Sequence, residues 1–377
     1  MFRRILLSAL LAVPLLAPHP VAAKFDLSKK RTLRGVVARV DWSNPHVHVV
    51  MHVQDGGQTT NWAVELESEL ELARSGWNAD SLKPGDAITV QGPVARDGSS
   101  QLWGESIVLA STGRRVLQMT SEALAFFRPA SSPRPAGATP RWPDGTINLG
   151  AVPGASGLWD GAEPLATIPK NYERVAGRPR PGVVDLKDVP IQPWAQALVD
   201  ARHARFLADE PYTRCKPSPA ARSFGTAYGV ELLNIPGTQR VYLFQTGGAH
   251  SYRVIYMDGR THPVTPVSSA FGHSIGWWNG DTLVIDTVGI NESAWLERWG
   301  LPHTDRLHTI ERVTRVDFNT LKYELTIDDP GAYTAPWTSG YIKRWNPNQE
   351  TFEYVCQENN YGPQMMVGIE GGETRTS

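Results

Sequence analysis

The sequence predicts a mainly β protein, in which a small barrel is followed by a larger antiparallel β barrel or sandwich with few helices. Three observations predict this class. Short runs of alternating apolar and polar residues, the pattern of half-buried strands, recur along the chain. Turn residues separate these runs, and the 377 residues include 34 Gly and 29 Pro. Helical spacing of apolar residues is confined to a few segments, so strands carry most of the fold.

The first 23 residues have the composition of a secretory signal peptide. A cationic start with Arg3 and Arg4 precedes an apolar run over residues 5–17, and Val21-Ala22-Ala23 offers small residues for cleavage. The apolar run is shorter than the ~20 residues that span a bilayer, which favours a cleaved peptide over an uncleaved anchor. We therefore expect an exported protein, periplasmic or extracellular, that does not span a membrane.

Residues 31–112 form the first predicted domain. Its expected order is three strands, a short helix stopped by Gly76, and two more strands after the turn Lys83-Pro84-Gly85-Asp86. This order is that of an OB-fold barrel, so we expect an OB-like domain. The predicted strands are residues 32–42, 47–53, 60–66, 87–95 and 102–109, and the predicted helix is 68–75.

The rest of the chain divides into a linker, a second domain and a tail. Residues 113–140 are rich in Pro, Ala and Ser and predict a linker, and residues 364–377 are predicted as a tail. Between them, residues 141–363 form a predicted β-rich antiparallel domain, whose first 40 or so residues read as an extended segment without a core. A helix is predicted over residues 193–208, and strands over 231–234, 240–246, 252–257, 282–288, 307–317, 321–328 and 352–356.

Both parts resemble uncharacterised families of exported bacterial proteins. The first resembles a family of small domains of unknown function through Gly35-Val36-Val37, Asn44-Pro45-His46 and the run from Gly76 to Asp86. Residues 141–362 resemble a second, larger family. This chain departs from that family at Trp277 and Asn279, where an Arg and an acidic or other polar residue are expected. These resemblances imply architecture and supply no reaction. The pieces that carry the second include Trp142-Pro143-Asp144-Gly145, Arg214-Cys215-Lys216-Pro217, Gly272-His273-Ser274-Ile275-Gly276, Pro302-His303-Thr304-Asp305 and Cys356-Gln357-Glu358-Asn359-Asn360.

Charge and motifs exclude several functional classes. The net charge of −1 becomes −3 when Arg3 and Arg4 leave with the signal peptide, which argues against a nucleic-acid partner. No zinc-protease helix, nucleophile elbow, phosphate loop or dinucleotide fingerprint is present, so no nucleotide or flavin cofactor is expected. A Cys215–Cys356 disulfide is favoured over two buried thiols because an exported chain meets oxidising conditions.

Three histidines in the first domain suggest a metal site. His46, His48 and His52 fall on one side of the strand over residues 47–53, because alternate residues share a face. Imidazoles two residues apart can share a copper, nickel or zinc ion. The alternative is a solvated polar face that is rich in histidine.

The second domain concentrates histidines and carboxylates. His250, His262, His273, His303 and His308 lie within 59 positions, and such residues could act as general acids and bases or hold a metal that activates water. Structural roles in turns and cross-strand ion pairs are the alternative for the carboxylates. These carboxylates include Asp258, Asp281, Asp286, Asp305, Glu311, Asp328, Asp329 and Glu358.

Two hypotheses about function follow. The sequence favours a protein that binds, and could transform, a small polar or aromatic molecule in its second domain. As an enzyme, it would be a hydrolase or lyase with catalytic residues drawn from His250, His273, His303, His308, Asp305 and Glu311. As a non-catalytic protein, it would bind a ligand or a metal through His46, His48 and His52. Oligomeric state and the identity of the ligand are not predicted.

Overall fold

A computed structural model describes residues 21–43, 46–74, 76–118, 137–160, 165–167, 182–205, 207–226, 228–247, 251–347 and 349–356. The described chain is mainly β, with eighteen strands and four helices of four to twelve residues, which confirms the predicted class. Residues 1–20 of the predicted signal peptide, most of the predicted linker and the whole predicted tail lie outside the described residues.

The first barrel forms from strands in the predicted positions. Its core is the apolar side of each alternating strand, including Val49, Met51 and Val64, which are fully buried. The segment predicted as one strand over 102–109 is two strands, because the backbone turns aside at Gly104 and Glu105. The elements are α1 (Val21–Lys24), β1 (Phe25–Asp41), β2 (His48–Asp55), β3 (Gln58–Glu65), α2 (Glu69–Arg74), β4 (Ala87–Ala95), β5 (Gln101–Trp103), β6 (Ser106–Leu109) and β7 (Arg115–Gln118).

The long strand β1 closes this barrel. It pairs with β4 from Phe25 to Val36 and with β2 from Gly35 to Asp41, which gives the ring β1-β2-β3-β5-β4-β1. Strands β3 and β5 are parallel, and β6 and β7 extend the sheet beside β4. At the crossover, a Cβ on Gly35 would lie 2.2 Å from the carbonyl oxygen of His52, so only glycine fits there.

The second part of the chain supplies the strands of a larger barrel. Helix α3, at Pro193–Ala204, is the longest described helix; it starts at the predicted proline and ends four residues before the predicted end. The other elements are β8 (Gly157–Asp160), β9 (Ala166–Thr167), β10 (Val184–Asp185), α4 (Ala220–Ser223), β11 (Val230–Leu233), β12 (Arg240–Gln245), β13 (Ser251–Tyr256), β14 (His273–Asn279), β15 (Thr282–Val288), β16 (His308–Asp317), β17 (Thr320–Asp328) and β18 (Trp337–Pro347).

Nine of these strands close into one barrel, so the second domain is a barrel and not a sandwich. The strand order is β11 to β18 in sequence, with β8 closing the ring between β18 and β11. Every neighbouring pair is antiparallel except β13 and β14, which the 16-residue crossover from Met257 to Gly272 joins in parallel. One expectation was wrong, because residues 352–356 are not a strand. The segment predicted to have no core of its own supplies β8 to the barrel wall, where Trp159 is fully buried.

Inward-facing side chains fill the barrel. Alternate residues of β15 and β17, such as Leu283, Ile285 and Tyr323, are fully buried. Helix α4 and the residue after it pack against these inward side chains, since Phe224 stacks on Tyr323 with ring centroids 4.6 Å apart. This packing fixes which side of each strand can carry exposed chemistry.

The predicted disulfide joins Cys215 to Cys356, with an S–S distance of 2.08 Å across 141 positions. It ties a short 3-10 helix at Pro211–Arg214 to the last described residue of the chain. Among the described residues, no helix is both long and apolar enough to cross a membrane.

Candidate functional site

The outer wall of the larger barrel carries a cluster of histidines around one carboxylate. His273 begins β14, Asp286 lies near the end of β15, and His308 begins β16. Alternation along these strands turns Ser274 and Thr287 inward, so the three titratable side chains face outward. Because β14, β15 and β16 are neighbours, the fold brings together residues 35 positions apart.

His262, on the crossover between β13 and β14, completes the cluster. Its Nε2 lies 3.1 Å from Asp286 Oδ1, and its Nδ1 lies 2.8 Å from Nδ1 of His273. His308 Nε2 approaches the same Asp286 oxygen at 2.8 Å. The side chains of His262, Asp286 and His308 are 19%, 21% and 40% exposed, so solutes can reach a site that is partly shielded from water.

These distances set the proton positions when the imidazoles are neutral. The Asp286 carboxylate can only accept, so His262 and His308 each donate an Nε2–H to it. The Nδ1 of His262 is then an acceptor, and the Nδ1–H of His273 must donate to it. Nε2 of His273 is left with a lone pair that can accept a proton.

Tyr256, Asp258 and Arg260 surround His273. The ring of Tyr256 stacks against His273 with centroids 5.4 Å apart, and the Arg260 guanidinium lies 3.9 Å from the Tyr256 centroid. Asp258 holds Arg260 through Nε at 2.8 Å and through Nη2. This pair holds the pKa of Asp258 down at about 2.

The environment of His273 favours its neutral form. Partial burial, the adjacent His262 and the charge of Arg260 lower the pKa of His273 from its ordinary value, and the charge of Asp258 opposes them. Because an unperturbed histidine titrates near ~6.5, a lowered pKa leaves His273 neutral at neutral pH. A neutral imidazole with an oriented ring is the protonation state that a general base requires.

Glu311, one of the predicted catalytic residues, lies inside the barrel instead. It is fully buried, and its carboxylate accepts hydrogen bonds from Arg253 Nη2 at 2.6 Å and Arg253 Nη1 at 2.9 Å. The Tyr323 hydroxyl donates to it at 3.1 Å. Arg253 also donates to Ser274 and Thr287, so the interior pair is fully bonded and closed to solvent.

The other predicted residues of this domain lie apart from the cluster. His303 is buried in the loop after β15, where its ring nitrogens lie 3.1 Å from the carbonyl oxygen of Ala294 and 3.2 Å from that of Thr304. Asp305 is exposed on the same loop. His250 lies outside the described residues. The structure thus brings His273 and His308 together and leaves His303, Asp305 and Glu311 elsewhere.

Of the three predicted histidines of the first barrel, two lie near Glu65 and the third lies farther along the same strand. His46 is buried, with Nδ1 2.8 Å from Glu65 Oε1, and His48 Nε2 lies 3.7 Å from the other carboxylate oxygen. Lys24 also reaches Glu65, at 2.5 Å. His52 is exposed and contacts Asn61 at 2.7 Å, about 13 Å along the strand from His48 at the usual rise per residue.

The metal prediction concerns one ion shared by these three histidines. The spacing along β2 separates His52 from the pair at Glu65. Across the part of the chain that the structure describes, no group of three or more His, Cys, Asp or Glu residues is arranged to hold a metal ion. The metal role of His46, His48 and His52 stays a prediction.

His262 and Asp286 belong to the histidines and carboxylates that the sequence concentrates in the second domain, but neither was predicted to be catalytic. Alternation along residues 282–288 was the available signal for Asp286, since it marks an outward carboxylate between inward Ile285 and Thr287. His262 lies on an irregular crossover, where no periodic signal indicates its partners.

Comparison with known proteins finds a family match for the first part of the chain and no activity. Residues 7–103, about a quarter of the chain, match the model of a family of unknown function, DUF6152. The matched segment includes β1 to β5 of the first barrel. No curated protein matches the chain.

Proposed function

We propose that the larger barrel binds a small polar or aromatic molecule at its outer histidine cluster and transforms it by proton transfer. His273 is the general base, His262 and Asp286 orient it, and His308 is a second proton donor or acceptor beside the same carboxylate. The reaction class is hydrolysis or lyase-type proton abstraction. The observation that carries this proposal is the unbroken contact chain from Asp286 through His262 to His273.

Proton transfer along this chain is chemically balanced. When Nε2 of His273 takes a proton from water or substrate, the positive charge arises beside His262, whose other nitrogen already donates to Asp286. The carboxylate therefore stabilises the imidazolium as it forms. Returning the proton to a leaving group restores the neutral ring, so no external oxidant or reductant is needed.

The surroundings of His273 support substrate binding as well as catalysis. Tyr256 contacts both His273 and Arg260 with its ring and so helps to fix the base, and Arg260 is 40% exposed while Asp258 fixes its orientation. A molecule with an electron-rich oxygen could place that oxygen near the guanidinium. Trp277, on the same outer face of β14, is 45% exposed and adds apolar surface.

Hydrolysis of 4-nitrophenyl acetate, an activated ester, tests the base directly. We expect His273→Gln to lower the rate of the purified mature chain by about 100-fold, the usual contribution of a positioned general base. Asp286→Asn should lower it less and should shift the pH profile, since the rate requires neutral His273. Activity should fall as the pH drops below the ordinary histidine value, because protonation removes the base.

His52→Gln is the matched control, since His52 is an exposed histidine of the other barrel that also makes one side-chain contact. Equal rates for His273→Gln and His52→Gln would refute the proposed role of His273. Binding of an aromatic ester without turnover by the native chain would favour the alternative, a non-catalytic binding protein.

Export of the chain is part of the same proposal. It is supported by the leader-like first 23 residues and by the Cys215–Cys356 bond, which persists in oxidising compartments. Expression of the full sequence in a bacterium should yield a periplasmic or secreted protein whose intact mass is that of a chain beginning at Lys24. A full-length chain retained in the cell membrane would overturn this part.

The first barrel is proposed to be OB-like and to serve as an accessory binding domain. The ring order β1-β2-β3-β5-β4-β1, the parallel β3–β5 pair and the helix between β3 and β4 support that assignment.

A further inference from the structure

A groove of about 320 Å³ opens on the first barrel, away from the histidine cluster. Its floor includes Trp62, Val94 and Ala95, and the turn between β4 and β5 contributes Gly98 and Ser99. Three successive cations complete its lining, namely Lys29, Lys30 and Arg31. The volume is at the lower end of the range for small-molecule sites, which are typically about 300–1,000 Å³.

A bulge in β1 adds Lys29 to the groove beside Lys30 and Arg31. On a regular strand, neighbouring residues point to opposite faces. Here the register shifts between Asp26 and Lys30, which pair with Val94 and Pro93 on β4. The extra residues of β1 bend the strand at this point, and such bulges commonly re-aim side chains next to binding sites.

The lining carries three positive charges and no carboxylate. The nearest acid of the turn, Asp97, accepts from the backbone N–H of Ser99 at 2.9 Å and from its hydroxyl at 2.6 Å, which turns Asp97 toward its own loop. Arg31 lies 5.2 Å from the Trp62 ring centroid, so one cation is held directly over the apolar floor.

The cations of the groove have carboxylate partners outside its lining, and one of these partners is well exposed. Lys29 contacts Asp26 at 3.4 Å, Lys30 contacts Glu105 at 2.8 Å, and the three cationic side chains are 49–75% exposed. Arg31 pairs at 3.1 Å with Asp55, which is itself 70% exposed. An exposed pair of this kind contributes about 0–1 kcal/mol, so a ligand anion can take the place of Asp55 at Arg31.

We infer that this groove binds a small amphipathic organic acid. Its anionic head would lie among Lys29, Lys30 and Arg31, and its short aliphatic or single-ring body would cover Trp62, Val94 and Ala95. Head and body are both required, because the cations alone face water and the apolar floor alone is small. The site is independent of the proposed reaction at His273.

Calorimetric titration of the mature chain with octanoate tests the inference. We expect a dissociation constant of about 0.1–1 mM, and at least about tenfold weaker binding of octan-1-ol, which lacks the charge, and of acetate, which lacks the body. The double variant K30Q/R31Q should bind octanoate at least about tenfold more weakly, and added salt should weaken native binding.

The matched control is R39Q/K83Q. It removes two exposed, carboxylate-paired cations of the same barrel that do not line the groove, and it should bind octanoate like the native chain. Equal affinity of the two double variants would overturn the inference, as would equal affinity for octanoate and octan-1-ol or no binding at about 10 mM octanoate. Binding to anionic phospholipid vesicles but not to octanoate would also overturn it, by assigning the cations to a lipid surface.

Discussion

Strands β14 to β16 carry a polar cluster on each side of the same barrel wall, and the two clusters differ in burial and in the partner of the carboxylate. Inside, Glu311 is fully buried and bonded to Arg253, whose guanidinium can only donate hydrogen bonds. Outside, Asp286 is 21% exposed and bonded to His262 and His308, whose ring nitrogens can either donate or accept.

The comparison separates structural carboxylates from reactive ones. Glu311 and Arg253 are hydrogen bonded to each other and to Ser274, Thr287 and Tyr323, and all of these side chains are buried. Asp286 instead lies at the end of a contact chain that runs through His262 to His273. The same strand alternation that fills the barrel therefore decides which acidic residue can take part in chemistry.

The largest expected effect comes from breaking the inner pair. Glu311→Gln leaves the Arg253 charge buried without its carboxylate, and we expect it to lower the free energy of unfolding by about 3–5 kcal/mol. Asp286→Asn, on the outer face, should lower it by less than about 1 kcal/mol, because partly exposed pairs contribute little. Urea unfolding followed by tryptophan fluorescence measures both.

A double variant sharpens this test. R253M/E311L replaces the inner pair with apolar side chains and should recover part of the stability that Glu311→Gln loses, since it removes the unpaired charge. A loss below about 1 kcal/mol for Glu311→Gln, or an equal loss for Asp286→Asn, would contradict the distinction between the two faces.

Alternation made much of the fold predictable. The β strands at 87–95 and 282–288 match their predicted bounds because each has a clear apolar side between strong turn signals. Strand β8 was missed because it has only four residues, and one buried aromatic, Trp159, is no periodic signal. Strand β18 was missed because its inward residues include Ser339 and Lys343, which are buried although polar.

The candidate site was only partly predictable for a different reason. Composition indicated the domain that holds the histidine cluster, and two of the six predicted catalytic residues, His273 and His308, meet in it. The inward direction of Glu311 was predictable, because it lies two residues from both Thr309 and Val313 and so shares their face of the strand. The meeting of His262 with His273 depends on how a 16-residue crossover folds back, and that is set by tertiary contacts.

Glu297 extends the comparison to a third carboxylate, one that is buried but has no bonded guanidinium. It lies in the loop between β15 and β16, accepts from the backbone N–H of Trp299, and is 1% exposed. Burial raises its pKa to about 7, although that N–H and the charges of Arg222 and Arg298 act in the opposite direction. Nearby Glu210 is equally buried but is bonded to Arg222 at 2.8 Å.

The raised pKa of Glu297 makes stability depend on pH. Between the unfolded value, near ~4.3, and about 7, the folded chain holds a proton that the unfolded chain has lost, so stability falls as the pH rises through this window.

Glu297→Gln removes the cost of charging a buried carboxyl and keeps an acceptor for Trp299. We expect the free energy of unfolding of this variant to exceed that of the native chain by about 3–4 kcal/mol at pH 8 and to equal it at pH 4. Glu210→Gln, which strips Arg222 of its carboxylate, should destabilise at pH 8 instead. Urea unfolding at the two pH values measures both variants, and a Glu297→Gln chain that is less stable than the native one at pH 8 would mean that this carboxylate is paired in the manner of Glu311.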